Sequence, residues 1–296
     1  MNPWHRCSCR RRSESTAAEA PIGHHGAVSG NTQQLLRATF EQVPELYDRA
    51  RPNYPSQVFD DLVALAQLPT SARIVEVGCG TGQATMPLAQ RGYQITCVEL
   101  GEQLASVARS KLTGFPNVEV MNADFETWQP ERTEFDAIVA FTALHWIAPD
   151  VRYTKTAALL REHGTLAIVS TRHVLPSHGD PFFVEVQGDY HAVVPDDPST
   201  KADAGGPPAP DAVEDLSDEI SAGGGFHNVG SRRYLWDVIY SADEYIAVLN
   251  TYSGHRALDD ETRERLLSRI HQRIEARPHR CVRKTYLAML NVAERL

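Results

Sequence analysis

Gly78, Gly80 and Gly82 stand at the end of an apolar run, Arg73 to Val77, and an acid, Glu99, follows seventeen residues after the last of them. Glycines let a backbone approach a ligand closely and adopt the tight turns that this requires. Glu99 ends a second apolar run, Tyr93 to Val98, where its carboxylate can accept the hydrogen bonds of a ribose diol. Together these are the parts of a nucleoside site at the carboxyl ends of parallel strands. A dinucleotide would need Gly-x-Gly-x-x-Gly, with the pyrophosphate on a helix N-terminus. Here the glycines alternate, Glu76 precedes them, and position 83 is glutamine, so the dinucleotide fit is poor.

The next candidates are side chains that move or hold protons. His145 follows the apolar run Phe135 to Phe141, at the end of the sheet where ligands bind, and a neutral imidazole accepts a proton near pH 7. The competing reading is a histidine that bonds backbone and shapes the pocket floor. Trp146 beside it reads as a cofactor or pocket wall. His173 and His178 follow the run Thr165 to Ser170; with Tyr190 and His191 they lack the close spacing of a metal site, and no metal is expected. Trp236, Tyr240 and Tyr252 are spaced either as core residues or as an aromatic cap over substrate. Arg232 and Arg233 read as a carboxylate attractor or as a solvated strand start. Cys79 is expected to pack rather than react.

These residues need a scaffold of alternating strands and helices. The predicted strands are Arg73–Val77, Gln94–Glu99, Val118–Met121, Phe135–Phe141 and Thr165–Ser170. Helices are predicted over Gln57–Leu68, Gln83–Arg91, Glu102–Leu112 and Val151–Leu160, with His163-Gly164 closing the last. This rhythm argues an α/β fold, a mostly parallel sheet covered on both faces. After Thr171 it fails. A Pro-, Gly- and Asp-rich stretch runs from Asp196 to Pro210, and Gly223-Gly224-Gly225 follows. Order returns with a strand over Arg232–Tyr240, helices over Ala242–Tyr252 and Glu261–Ile274, and a last strand over Cys281–Leu290. The expected organisation is a disordered leader over 1–39, a helical segment over 40–70, a cofactor core over 71–172, a substrate lid or insertion over 173–231, and completion of the sheet over 232–296.

Composition excludes several classes. The chain has 296 residues, 42% hydrophobic and 23% charged, with a formal net charge of -9, which supplies no field for nucleic acid. No apolar run is long enough to span a bilayer. The five cysteines are scattered, and Cys79 and Cys97 fall in predicted core, so a reducing compartment is expected rather than a disulfide framework. Cys7-Ser-Cys9 beside three arginines is an incomplete zinc site in a basic tail without an apolar signal core, and a cytoplasmic location is expected.

The ordered set Glu76-Val-Gly-Cys-Gly-Thr-Gly82, Glu99, Asp124-Phe125 and His145-Trp146 resembles the class I S-adenosylmethionine-dependent methyltransferases. That resemblance implies a Rossmann-like, mostly parallel seven-stranded sheet with helices on both faces and a cap or lid insertion. It implies S-adenosyl-L-methionine as cofactor. Glu76, Gly78, Cys79, Gly80, Thr81 and Gly82 would wrap its methionine and ribose part. Glu99, with Leu100 next to it, would hold the ribose. Asp124 and Phe125 would meet the adenine. Phe141, Thr142 and Trp146 would line the methyl side.

Tyr47-Asp-Arg-Ala-Arg-Pro-Asn-Tyr-Pro55, Phe125-Glu-Thr-Trp128 and His145-Trp146 with Pro149 are similar to the trans-aconitate methyltransferase-like branch of small-molecule enzymes. By that resemblance Tyr47 and Arg51 close over the cofactor, Arg51 on its carboxylate. His145 is the candidate catalytic base, and His173, Tyr190, Trp236 and Tyr240 are candidate substrate contacts. The expected partner is a small-molecule methyl acceptor, taken at a carboxylate or phenolic oxygen, with no nucleic acid or membrane and a monomer or homodimer. N- or C-methylation, and a catalytically silent cofactor-binding scaffold, are the alternatives.

Overall fold

The computed structural model describes residues 43–195 and 206–296. The leader expected over 1–39, Cys7 and Cys9, and residues 196–205 of the Asp196–Pro210 stretch lie outside the described residues.

The elements in chain order are α1 (Pro44–Ala50), α2 (Ser56–Leu65), β1 (Arg73–Val77), α3 (Thr85–Ala89), β2 (Gln94–Glu99), α4 (Glu102–Leu112), β3 (Val118–Asn122) and β4 (Phe135–Phe141). There follow α5 (Pro149–Leu159), β5 (Leu160–Val174), α6 (Phe182–Glu185), α7 (Gln187–Val193), α8 (Ser217–Gly223) and β6 (Phe226–Ser241). The chain ends with α9 (Ala242–Leu249), α10 (Ser253–Arg256), α11 (Asp260–Glu275) and β7 (Cys281–Arg295). The sheet has seven strands in the order β3-β2-β1-β4-β5-β7-β6. β1 to β5 run parallel, and β7 enters antiparallel between β5 and β6.

The strands read as continuous apolar runs because both faces are covered. Ile74, Ile95, Val139 and Val169 face α2, α3 and α4, while Val75, Val98, Ile138 and Ile168 face α5 and α8. A third cluster joins α6, α7, α9 and α11 over the first residues of β7. Local signals set several helix starts. Pro149 occupies the first turn of α5, where its missing N–H costs nothing. Ser241 and Glu244 form a reciprocal capping box on α9, and Asp259 caps α11 through the Thr262 N–H.

Several boundaries differ from the sequence reading. α3 is shorter than Gln83–Arg91, because turns occupy both its ends. β5 begins at Leu160 rather than Thr165; His163-Gly164 is an irregularity inside the strand, not a helix cap. His163 has φ 59°, a conformation that shifts the register against β4. β6 starts at Phe226, before the expected Arg232, and β7 continues past Leu290 to Arg295. These two strands are long because they pair along their full length.

The segment between β5 and β6 packs in two places. Phe182, Phe183 and Val186 join the cluster with α9 and α11, whereas Ile220 packs on the opposite sheet face with Tyr153 and Phe226. Asp189 on α7 is the polar clamp of the first half. It accepts from Arg269 Nε and Nη2 at 3.1 and 2.9 Å and from Arg273 Nε at 2.5 Å, both arginines on α11. Burial opposes its charge, but Arg273 and Arg269 hold its carboxyl below the ordinary value.

Asp189→Asn keeps the shape and removes the charge. Urea unfolding should show a loss of about 2 kcal/mol, limited by the partial solvation of the arginines. Because the folded value is depressed, this contribution is full above the ordinary aspartate pKa of 3.8. It is lost as the pH falls below that value, so wild type and variant should converge in acid.

Candidate functional site

The site is built from the turn after β1. Gly78 donates its N–H to Val98 O at 2.8 Å, which sets the loop against the end of β2. Its φ is +65°, and a Cβ there would lie 2.7 Å from Ala143 Cβ. Only glycine lets the β1 loop and the turn after β4 approach this closely. Gly80, with φ +57°, donates to Glu99 Oε2 at 2.8 Å, and Gly101 donates to Glu99 Oε1 at 2.9 Å. Glu99 therefore sits at the carboxyl end of β2 with one oxygen on the loop and the other at the start of α4. Leu100 beside it is half exposed.

Behind the loop lies a second acid. Glu76 is 1% exposed, and its Oε2 has no hydrogen-bond partner among the described residues. Burial pushes its pKa up to about 8, against a hydrogen bond from Thr85 and with some help from Glu99. Thr81 Oγ1 is likewise buried and unpartnered. Two orphaned polar atoms beside a glycine loop fit a ligand that brings its own donors and acceptors. The Cys79 thiol hydrogen-bonds with Cys97, and that bond, with burial, pushes its pKa well up. Such a thiol is a packing group.

α1 covers this loop. A Cβ at Gly80 would lie 3.9 Å from Tyr47 Cε1, and Gln83 Nε2 donates to Asp48 O and Arg51 O at 3.2 and 3.3 Å. Lys111 on α4 pairs with Asp48 at 2.5 Å. Arg51 lies between two rings, 4.9 Å from the Tyr47 centroid and 4.5 Å from that of Tyr252. Its Nε and Nη2 donate to Thr251 Oγ1 and O at 2.8 and 3.0 Å. In the structure Arg51 thus joins α1 to the helices before β7.

The ends of β3 and β4 complete the rim. Asp124 Oδ1 accepts from Glu126 N at 2.9 Å, and Phe125 is buried against Trp128. Lys155 donates to Glu126 O and Trp128 O at 3.0 and 2.6 Å, and fixes that turn to α5. Phe141 stacks on Phe59, with ring centroids 5.3 Å apart. Thr142, at φ 55°, bonds Tyr54 Oη at 3.0 Å and Thr171 Oγ1 at 3.3 Å. His145 and Trp146 form the short turn that follows, with ring centroids 4.9 Å apart. The Ala143–Gly78 approach brings that turn onto the glycine loop.

The four expected substrate contacts converge. Trp236 stacks on Tyr286 at 5.3 Å, His173 lies 6.5 Å from the same ring, and Tyr240 Oη is 3.0 Å from Tyr286 Oη. Tyr190 Oη is 2.8 Å from His255 Nε2. The sequence reading passed over the centre of this cluster. Lys284 on β7 is 2% exposed and donates to Tyr252 Oη at 2.8 Å. Its ammonium lies 5.1 Å from the Tyr286 centroid and 5.4 Å from that of Tyr245. Tyr54, Tyr245, Tyr286 and His255 were also missed. A Lys-x-Tyr alternation on an apolar strand is the one local sign, since it puts both side chains on one face. Arg232 and Arg233 point elsewhere, to backbone carbonyls of Ser231 and Val213.

Gly78→Ala adds both the Cβ clash and an unfavourable φ, and should cost about 2 kcal/mol in chemical denaturation. Adding Ala143→Gly should recover only part, since it removes the clash and leaves the backbone strain.

Comparison with known proteins agrees with this geometry. Residues 74–164 match the family model described as a methyltransferase domain. An uncharacterized methyltransferase of Mycobacterium tuberculosis is 31% identical over 135 residues, 45% of this chain and 52% of that protein. The trans-aconitate 2-methyltransferase of Escherichia coli is 31% identical over 133 residues, 42% of this chain and 49% of that protein. The chain spans about half the length of the curated relatives it matches. A solved structure of a type II methyltransferase candidate from Anaeromyxobacter dehalogenans aligns with a TM-score of 0.55 at 23% identity, over 82% of this chain and 97% of that one. Residues 74–164 thus match a methyltransferase domain, and the seven-stranded sheet has the class I, Rossmann-like methyltransferase fold.

Proposed function

We propose that the protein transfers the methyl group of S-adenosylmethionine to an oxygen of a small molecule, a carboxylate or a phenol. The observation that carries this reading is the Glu99 carboxylate held by the Gly80 and Gly101 N–H groups at the mouth of the glycine loop. Bound there, the cofactor supplies an electrophilic methyl group on a sulfonium.

Each residue of the rim then has a task. Glu99 accepts the ribose hydroxyls. Glu76, whose Oε2 lacks a donor, takes the cofactor's ammonium, and Thr81 lies behind it. Asp124 and Phe125 hold the adenine. Tyr47 on α1 and Trp146 after β4 wall the site and exclude water. Phe141 and Thr142 keep the β4 turn in place through Phe59 and Tyr54. A carboxylate acceptor needs no base. A phenol gives its proton to His145 as the oxygen–methyl bond forms and the sulfur–methyl bond breaks. The enclosed, aromatic surroundings of His173, Tyr190, Trp236 and Tyr240 suit a small acceptor.

Calorimetry should show Glu99→Ala binding S-adenosylmethionine at least tenfold more weakly; unchanged affinity in the folded variant refutes the assignment. A His145→Ala rate within threefold of wild type would remove the base role and leave the carboxylate branch. At pH 7 the Glu76 carboxyl, with its pKa near 8, carries its proton in the free protein. A cation placed beside it lowers that pKa, so cofactor binding should release a proton. Titrations at pH 7 in buffers of different ionisation enthalpy should detect the release, and Glu76→Gln should abolish it.

A further inference from the structure

Two cations lie against Tyr252. Lys284 is almost fully buried, and it donates a hydrogen bond to the Tyr252 hydroxyl. Arg51 lies over the same ring and is held by Thr251. Among the described residues, neither forms an ion pair. A buried ammonium normally has a carboxylate, because desolvation is otherwise uncompensated.

Carboxylates on the adjoining elements are already committed. Asp180 accepts from Arg283 N at 2.9 Å and pairs with Arg277 at 2.6 Å. Asp237 accepts from Thr285 Oγ1 at 2.6 Å. Asp189 is clamped by Arg269 and Arg273. Arg283 and Thr285 flank Lys284 on β7, so strand alternation points them to the other face. The groups facing Lys284 are phenols and an imidazole: Tyr252, Tyr245, Tyr286 and, beyond Tyr252, His255.

His255 adds a second observation. It is 1% exposed, Tyr190 occupies its Nε2, and Nδ1 is buried without a partner. Burial, with the Lys284 charge, lowers its pKa to about 3, so it is neutral and offers no negative charge to the cluster. Burial also pushes Tyr252 upward, but Lys284 and Arg51 outweigh it and hold its phenol below the ordinary value. Both cations therefore act on a phenol for want of a stronger anion.

The position is next to the methyl-transfer site. Arg51 rests on Tyr47, which lies over Gly80. On the sheet side, Thr171 bonds Thr142, and two residues on His173 pairs across to Tyr286. We propose that Lys284 and Arg51, bridged by Tyr252, are the anion subsite of the methyl-acceptor pocket, and that the acceptor carries a carboxylate which this subsite binds. The proposal rests on the methyltransferase reading for the word acceptor, though not for the anion site itself. The acceptor's carboxylate takes hydrogen bonds from the Lys284 ammonium and from the Arg51 guanidinium, the latter in place of the cofactor carboxylate that the resemblance gave it, and Tyr252 Oη, which accepts from Lys284 in the free protein, is released.

The test is calorimetry on the full chain saturated with S-adenosylhomocysteine, with citrate, trans-aconitate and benzoate as probes and benzamide as the neutral control. At least one carboxylate should bind saturably and benzamide should not. Lys284→Met should weaken that binding at least tenfold, and Lys284→Arg by much less. Carboxylate binding unchanged in Lys284→Met, or no binding of any probe to wild type, overturns the proposal. If S-adenosylhomocysteine itself fails to bind while carboxylates do, the cofactor reading falls and the anion subsite stands. Should Lys284→Met not fold, wild-type absorbance at 295 nm decides. An anion that draws Lys284 away from Tyr252 raises the pH at which that phenol ionises, and no shift on adding the three carboxylates overturns the proposal.

Discussion

One carboxylate holds three pieces of chain in register. Glu99 takes an N–H from the glycine loop and another from the start of α4, while its own carbonyl accepts from Ala123 and Asn122 after β3. The ends of β1, β2 and β3 are thereby locked at one level. Charge-assisted bonds to backbone N–H groups are stronger than neutral ones, and here they are largely shielded from water. The loop cannot relax without losing them, and the contact between Gly78 and Ala143 passes the same constraint to the turn after β4. The positions of Tyr47, Thr142 and His145 follow from that chain of contacts.

Charge is arranged on two sides of this junction. Glu76 and Glu99 stand on the loop side, and the Glu99 charge adds to burial in disfavouring ionisation of Glu76. Arg51 and Lys284 stand on the side of α9 to α11. Tyr47, which lies over Gly80 and against Arg51, stands between the two groups. A site with unmet demand of opposite sign at its two ends orients a ligand before any chemistry occurs. The overall charge of -9 gives no hint of the cationic end, because it sums over the whole chain and says nothing of where two cations meet.

What could be read from the residues was whatever depends on near neighbours. The β1 loop, Glu99 and the parallel strands carry local patterns, and their places in the sheet follow from spacing and hydrophobicity. β5 was misjudged because Gly164 after His163 has the signature of a helix end, whereas pairing with β4 from Leu160 onward overrides it. Lys284 had no readable role, since its surroundings come from α9, the Tyr252 turn and β7, which only the strand order assembles. Arg51 was picked out through resemblance, as a residue for the cofactor's carboxylate, whereas its hydrogen-bond partner in the structure, Thr251, is two hundred positions away. Aromatic residues such as Trp236 and Tyr240 could be named as a group, yet not as the shell of a buried cation.

The strand order has a consequence for how the molecule comes into being. β7 is made last among the strands, yet it lies inside the sheet and gives β6 its one neighbour. Until β7 emerges from synthesis, sixteen residues of β6 have no edge to join, and the β5 edge is open. Two long unsatisfied edges on a growing chain invite pairing with the wrong strand. The lysine of the proposed anion subsite arrives on that same final strand. The acceptor side of the pocket is therefore assembled only in the last step of folding, after the parallel half that holds Glu99 has been available to form.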